Sequence, residues 1–268
     1  MTALDHAVRR TTGWATARGH RRVPADAAAA RTSAGRFAIA VADGVGDTAE
    51  AALAAQLAVT AAVDEAWAAD TAGAPPAVRH ALSGDAPTIP VGRSPDDGTP
   101  AIPTRRSHDG PAPPPRDIEP GDGTGDLHTG DTTFAVAAGD AEHGWTVTWV
   151  GDCRAYFVPD TAAAPVLLTA DHTLGQYLRD RDVRAHPGMD HVVTTTARKG
   201  VPGFATGPAG AGRLVLLTNG VHHHLDAAAI ARVAREVADP ATAARVLVDA
   251  AIAAGGSDNA AATVADVR

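Results

Sequence analysis

Apolar runs closed by turn residues set the rhythm of this chain. Arg36-Phe-Ala-Ile-Ala-Val-Ala42 is almost continuously apolar and ends at Asp43-Gly44, the pattern of a buried strand entering a tight turn. Thr48 to Asp70 is rich in alanine and poor in breakers, which predicts a helix that Thr48 can cap. Further on, Thr132–Ala137, Trp145–Val150 and Arg154–Val158 are short β-prone runs, the first two separated by the turn-forming Gly139-Asp-Ala-Glu-His-Gly144. Val166–Leu168, His191–Thr194 and Arg213–Leu217 are additional strand candidates. Leu225–Ala238 and Ala241–Ala254 predict two helices broken at Asp239-Pro240, and Ala260–Val267 predicts a last strand after Gly255-Gly-Ser-Asp-Asn259. Short strands joined by short turns favour mostly antiparallel sheets, with the helices layered outside them.

One stretch interrupts the pattern. Residues 71–127 hold most of the prolines and many glycines, so they are expected to form an insertion without regular core structure, disordered by composition, within a single domain spanning 1–268. Composition narrows the function classes. Aromatic residues are only 4% of the 268, so Ala, Val and Leu must fill the core. A net charge of -8 argues against a nucleic-acid partner, which would call for a basic surface. The single cysteine, Cys153, allows neither an intrachain disulfide nor a thiolate zinc cluster and reads as packing. No run is long and apolar enough to span a membrane, and Met1–Arg10 lacks the apolar centre of a signal peptide, so the expected location is cytoplasmic, with no membrane partner.

Candidate chemistry sits where buried runs meet turns. Asp43 in Val41-Ala-Asp-Gly-Val-Gly46, Asp152 in Val150-Gly-Asp-Cys-Arg154 and Asp258 in Gly256-Ser-Asp-Asn259 each follow or precede an apolar segment. Any one of these alone is commonly just a turn residue. Gathered at one sheet end, such carboxylates would form an oxygen-rich site for Mg2+ or Mn2+, cations that acidify water and clamp phosphate oxygens.

Taken in order, these segments resemble the bacterial branch of the PPM-type, metal-dependent serine/threonine protein phosphatases. The resemblance is carried by Phe37–Gly46, Gly130-Asp-Thr-Thr-Phe-Ala135, Val150-Gly-Asp-Cys-Arg-Ala-Tyr156, Leu168-Thr-Ala-Asp-His172, His186-Pro187 with Val192–Thr194, Leu216-Leu-Thr-Asn-Gly220 and Gly255–Asn259. It implies an α+β fold, a four-layer α-β-β-α sandwich of mostly antiparallel sheets flanked by helices. It also implies two divalent cations in a cleft at one sandwich edge, and a metal-activated water that attacks the phosphorus of phosphoserine or phosphothreonine without a phosphoenzyme. Carried over, Asp43 bridges the two metals, the Gly44 carbonyl binds one, Asp258 binds the other, and Asp152 serves a weaker third cation. Arg21 corresponds to the phosphate-binding arginine, with Arg22 beside it as the competing alignment.

Departures from that pattern touch the metal ligands themselves. The N-terminal Glu-Asp pair is Ala25-Asp26 here, and alanine cannot ligate. Asp26 is then a ligand, a hydrogen-bond acceptor behind the metals, or merely the N-cap of a run at Ala27–Ala30. The aspartate of Ser-Asp-Gly is Asn219, which offers a neutral oxygen or no ligation at all. His223, within His222-His-His224, stands where another aspartate is usual and is either a borderline-metal ligand suited to Zn2+ or Fe2+ or a polar helix start. Asp47 and Glu50 are candidates to replace the missing glutamate. The chain therefore reads as a Mg2+- or Mn2+-dependent phosphatase with weakened metal binding and one of its two sites in question. The alternative is an inactive pseudophosphatase that binds a regulatory protein partner or a phosphorylated segment.

Overall fold

A computed structural model describes residues 11–83, 130–140, 142–207 and 210–267. In chain order these form β1 (Thr12–Ala17), β2 (Asp26–Ser33), β3 (Arg36–Gly44), α1 (Ala49–Ala68), α2 (Ala74–Leu82), β4 (Thr132–Asp140), β5 (Gly144–Val150), β6 (Arg154–Pro159), β7 (Val166–Leu167), α3 (Leu174–Arg179), β8 (Gly203–Gly207), β9 (Gly212–Leu217), α4 (Asn219–His222), α5 (Ala227–Glu236), α6 (Pro240–Ala253) and β10 (Ala260–Val267). Two five-stranded sheets result, ordered β1-β10-β9-β6-β7 and β2-β3-β4-β5-β8, and every pairing between these strands is antiparallel.

Three apolar clusters make four layers of this arrangement. Between the sheets, Phe37, Ile39 and Val41 of β3 meet Leu214 and Leu216 of β9 and Ala261 and Ala265 of β10. The opposite face of the β3 sheet, with Ala40, Ala42, Phe134 and Val136, is covered by α1 and α2. The outer face of the other sheet is covered by α5 and α6 through Ile230, Leu247 and Val248. β3 is thus buried on both faces, which explains why its sequence is a continuous apolar run instead of an alternating one. With so few aromatics, alanine-lined faces let the helices approach the sheets closely. The α+β, four-layer expectation agrees with this architecture.

Local chemistry explains most element ends. Thr48 caps α1 by accepting from the Ala51 amide, as its sequence position predicts. Asp226 and Asp239 cap α5 and α6 in the same way. Two expectations are corrected. Residues 71–127 do not lack regular structure from their first residue: Thr71–Gly73 is a 3-10 turn and α2 follows, burying Ala74, Pro75, Val78 and Leu82. Pro75 and Pro76 open that helix, where a missing amide hydrogen costs nothing, so a proline-rich composition there marks a start and not a break. Residues 84–127 of the expected insertion lie outside the described residues. His191–Thr194 is not a strand. It leaves the 3-10 turn Pro187–His191 and pairs with the chain only through a bridge from Thr173 to Val193. Among the described residues no helix is long and apolar enough to cross a membrane.

Candidate active site

β2 and β3 place the first pair of carboxylates. Their antiparallel register sets Asp26 directly opposite Asp43, and the N-cap reading of Asp26 is corrected: Ala27–Ala30 continues β2 as a strand. Like charges directly opposite across a ladder repel. Here one of them is also deeply buried, with Asp26 5% exposed. Burial, with the neighbouring charges of Asp258 and Asp152, pushes the Asp26 carboxyl up to about 7, against the pull of hydrogen bonds from Thr218 and Asp43. Asp43 is held well above the usual carboxylate range by burial and then by Asp26, Asp152 and Asp258. Two ionised carboxylates placed opposite each other in this way repel unless one of them carries a proton. The strand end thus stores negative charge that only a proton or a cation can relieve.

Turns at the same sheet end bring the remaining groups. β5 leaves Val150 through Gly151, whose φ of +85° and whose contact with the Thr133 side chain leave no room for a β-carbon, and the turn delivers Asp152. Asp152 is 2% exposed, its Oδ1 has no hydrogen-bond partner, and Asn219 at the start of α4 lines the same cavity. Asp258 follows α6 and is fixed through its neighbour. Asn259 donates to the Arg18 carbonyl at 2.7 Å and accepts from the Ala25 amide at 2.8 Å, tying this turn to the 18–25 loop. Arg21 on that loop donates to Asp258 Oδ2 at 2.6 Å. Arg22 points elsewhere, 3.6 Å from Asp47.

A cavity of about 210 Å3 unites these elements, lined by Arg21, Asp43, Gly44, Asp152, Asn219 and Asp258 among others. Of the residues singled out from sequence, Asp26 and His223 do not line it. Asp26 sits behind Asp43 and accepts from Thr218 Oγ1 at 2.6 Å. Asp47 and Glu50 do not line the cavity either, and Asp47 is engaged by the Val23 amide. Sequence reasoning missed Thr218, which also accepts from the Ala261 amide, and His191, which reaches the cavity wall from the 3-10 turn. No local signal marks either one. His222 was treated only as part of a triplet, yet it is buried with Nε2 2.9 Å from the Asp152 carbonyl oxygen. The Leu-Thr-x-Asp-His segment acts as a brace. Asp171 takes a two-pronged pair from Arg154 at 3.0 and 2.7 Å, and His172 Nδ1 accepts from the Gly151 amide.

Among the described residues no three His, Cys, Asp or Glu side chains approach closely enough to enclose an ion by themselves. Mg2+, Mn2+ and Ca2+ also take carbonyls, amide oxygens and water, which here are the Gly44 backbone, Asn219 and the open cavity. The unpartnered Asp152 oxygen and the repelling Asp26–Asp43 pair fit a cation, and the all-oxygen donor set fits a hard one.

No family model and no curated protein matches the sequence at a significant level. Solved structures do match the fold. The chain is similar to the Mycobacterium tuberculosis serine/threonine phosphatase PstP/Ppp, with 19% identity, a TM-score of 0.67 and coverage of 96% of this chain and 98% of that one. It is also similar to the PPM Ser-Thr phosphatase MsPP from Mycobacterium smegmatis in complex with cacodylate, with 25% identity, a TM-score of 0.64 and coverage of 96% and 98%. The catalytic domain of PstP in complex with two manganese ions matches at 21% identity and a TM-score of 0.64, covering 95% of this chain and 96% of that one. These neighbours are bacterial serine/threonine phosphatases, and this chain has their fold.

Proposed function

We propose that this chain is a Mg2+- or Mn2+-dependent phosphatase acting on phosphoserine and phosphothreonine in proteins, with metal binding weaker than a full carboxylate set would give. The observation that carries the reading is the convergence of Asp43, Asp152 and Asp258 on one cavity with Arg21 at its edge. Bound cations would supply an acidified water and polarise the phosphoryl oxygens. Asp43 and the Gly44 carbonyl would hold them at the strand end, with Asp258, Asn219 and Asp152 completing the oxygen set and Asp26 ordering Asp43 from behind. Arg21 would grip phosphate oxygens with its guanidinium fork, leaving Asp258 as it does so. Val45 and Val193 form part of the cavity wall and would limit water around the bound phosphoester.

The test is hydrolysis of p-nitrophenyl phosphate and of a phosphothreonine peptide with Mg2+, with Mn2+ and with EDTA. EDTA-sensitive turnover supports the proposal, and no turnover in either metal ends it. Ala25 and Asn219 favour a second reading, a phosphopeptide- or partner-binding pseudophosphatase, because both replace acidic side chains at the site. An Ala25→Glu, Asn219→Asp double variant separates the two. Activity gained only in the double variant assigns the natural chain to binding.

A further inference from the structure

His222 is 6% exposed, and its surroundings are costly for an imidazole. Its Nδ1 is buried without a hydrogen-bond partner. A carbonyl oxygen only accepts, so the 2.9 Å contact to Asp152 requires the proton on Nε2, and the ring donates there. His222 closes α4, the short helix that Asn219 opens, and Asn219 and Asp152 both line the cavity. That short helix therefore holds the Asp152 main chain through His222 and presents Asn219 to the same cavity. The other side of the same turn is held by His172 on the Gly151 amide.

We infer that His222 is a positioning residue: by donating from Nε2 to the Asp152 carbonyl it locks the β5–β6 turn so that the unpartnered Asp152 oxygen faces the cavity for a cation. The inference rests on the proposed metal-dependent reading, but its first readout does not need metal. His222→Gln keeps a donor at the same reach, His222→Leu removes it at similar volume, and His222→Asn is a smaller variant in which the donor falls short. In EDTA, hydrogen exchange of the amides at 150–154 should quicken about tenfold or more in the Leu and Asn variants and stay near wild type in Gln. Titration of the full chain with Mn2+, followed by electron paramagnetic resonance, should show affinity lost about tenfold in Leu and Asn and kept within about threefold in Gln. If Leu does not fold, the contrast between Asn and Gln decides. Unchanged exchange and Mn2+ affinity in Leu and Asn, or equal losses in all three variants, would overturn the inference and leave His222 a packing residue. If wild type takes no Mn2+ but exchange still separates Gln from Leu and Asn, the clamp stands and the proposed metal function fails instead.

Discussion

Replacing Asp26 with asparagine should make the metal-free protein more stable at neutral pH, the reverse of what a buried hydrogen-bonding residue usually gives. The carboxyl is lifted from its ordinary 3.8 to about 7 in the folded chain. A group that binds its proton more tightly folded than unfolded adds stability that is fully present below the unfolded value and is lost as pH rises to the folded one. The window therefore runs from about pH 4 to about pH 7, roughly three pH units at about 1.4 kcal/mol each, or ~4 kcal/mol in all. Asparagine keeps an oxygen for Thr218 and offers Asp43 a permanent donor, so it carries no such loss. At about 2–4 °C per kcal/mol for a domain of this size, the ceiling is roughly 8–16 °C in melting temperature.

The assay is thermal unfolding by circular dichroism in EDTA across pH 4 to 8, repeated with saturating Mn2+. In EDTA, Asp26→Asn should melt above wild type at pH 7.5, with the gap closing towards pH 4. With Mn2+ the gap should narrow, because wild type gains from binding, by about 2.7 kcal/mol at a hundredfold excess over Kd, and the variant gains less. An Asp26→Asn protein that melts below wild type by the same margin at both pH extremes in EDTA would refute the reasoning and make Asp26 an ordinary structural acceptor.

Other perturbations bear on the rest of the site. Arg21→Ala should raise KM for a phosphothreonine peptide roughly tenfold or more, from losing charge-assisted bonds of about 1.5–3 kcal/mol, while Mn2+ affinity holds or improves as Asp258 is freed; steady-state kinetics and Mn2+ titration check the pair. Gly44→Ala should lower the unfolding free energy read from urea titration by about 1–3 kcal/mol or prevent folding, since a β-carbon there lies 2.2 Å from the Ala51 carbonyl oxygen.

Which parts of this architecture were legible follows from contrast along the chain. β3, β4 and β5 announce themselves because buried strands need branched and aromatic residues and the flanking turns are strongly polar. β2 does not, because Ala27–Ala30 suits helix and strand alike and only pairing with β3 decides. α2 was hidden by its opening prolines, whose meaning depends on position and not on number. At the site, Asp43, Asp152 and Asp258 stand beside glycine or asparagine turns and can be found by pattern. Thr218 and His222 cannot: their partners, Asp26 and the Asp152 carbonyl, lie 192 and 70 residues away and are met only once both sheets are built. The choice between Arg21 and Arg22 likewise needed the loop, which turns one to Asp258 and the other to Asp47.

The central claim is that Asp43, Asp152 and Asp258 hold divalent cations together at one sheet end. Anomalous diffraction at the manganese edge from Mn2+-soaked crystals tests it directly. The account predicts at least one manganese peak within coordination distance of Asp43 and the Gly44 carbonyl, with Arg21 moved off Asp258. A fully loaded soak whose cavity carries no manganese peak, with the Arg21–Asp258 pair intact, would contradict it.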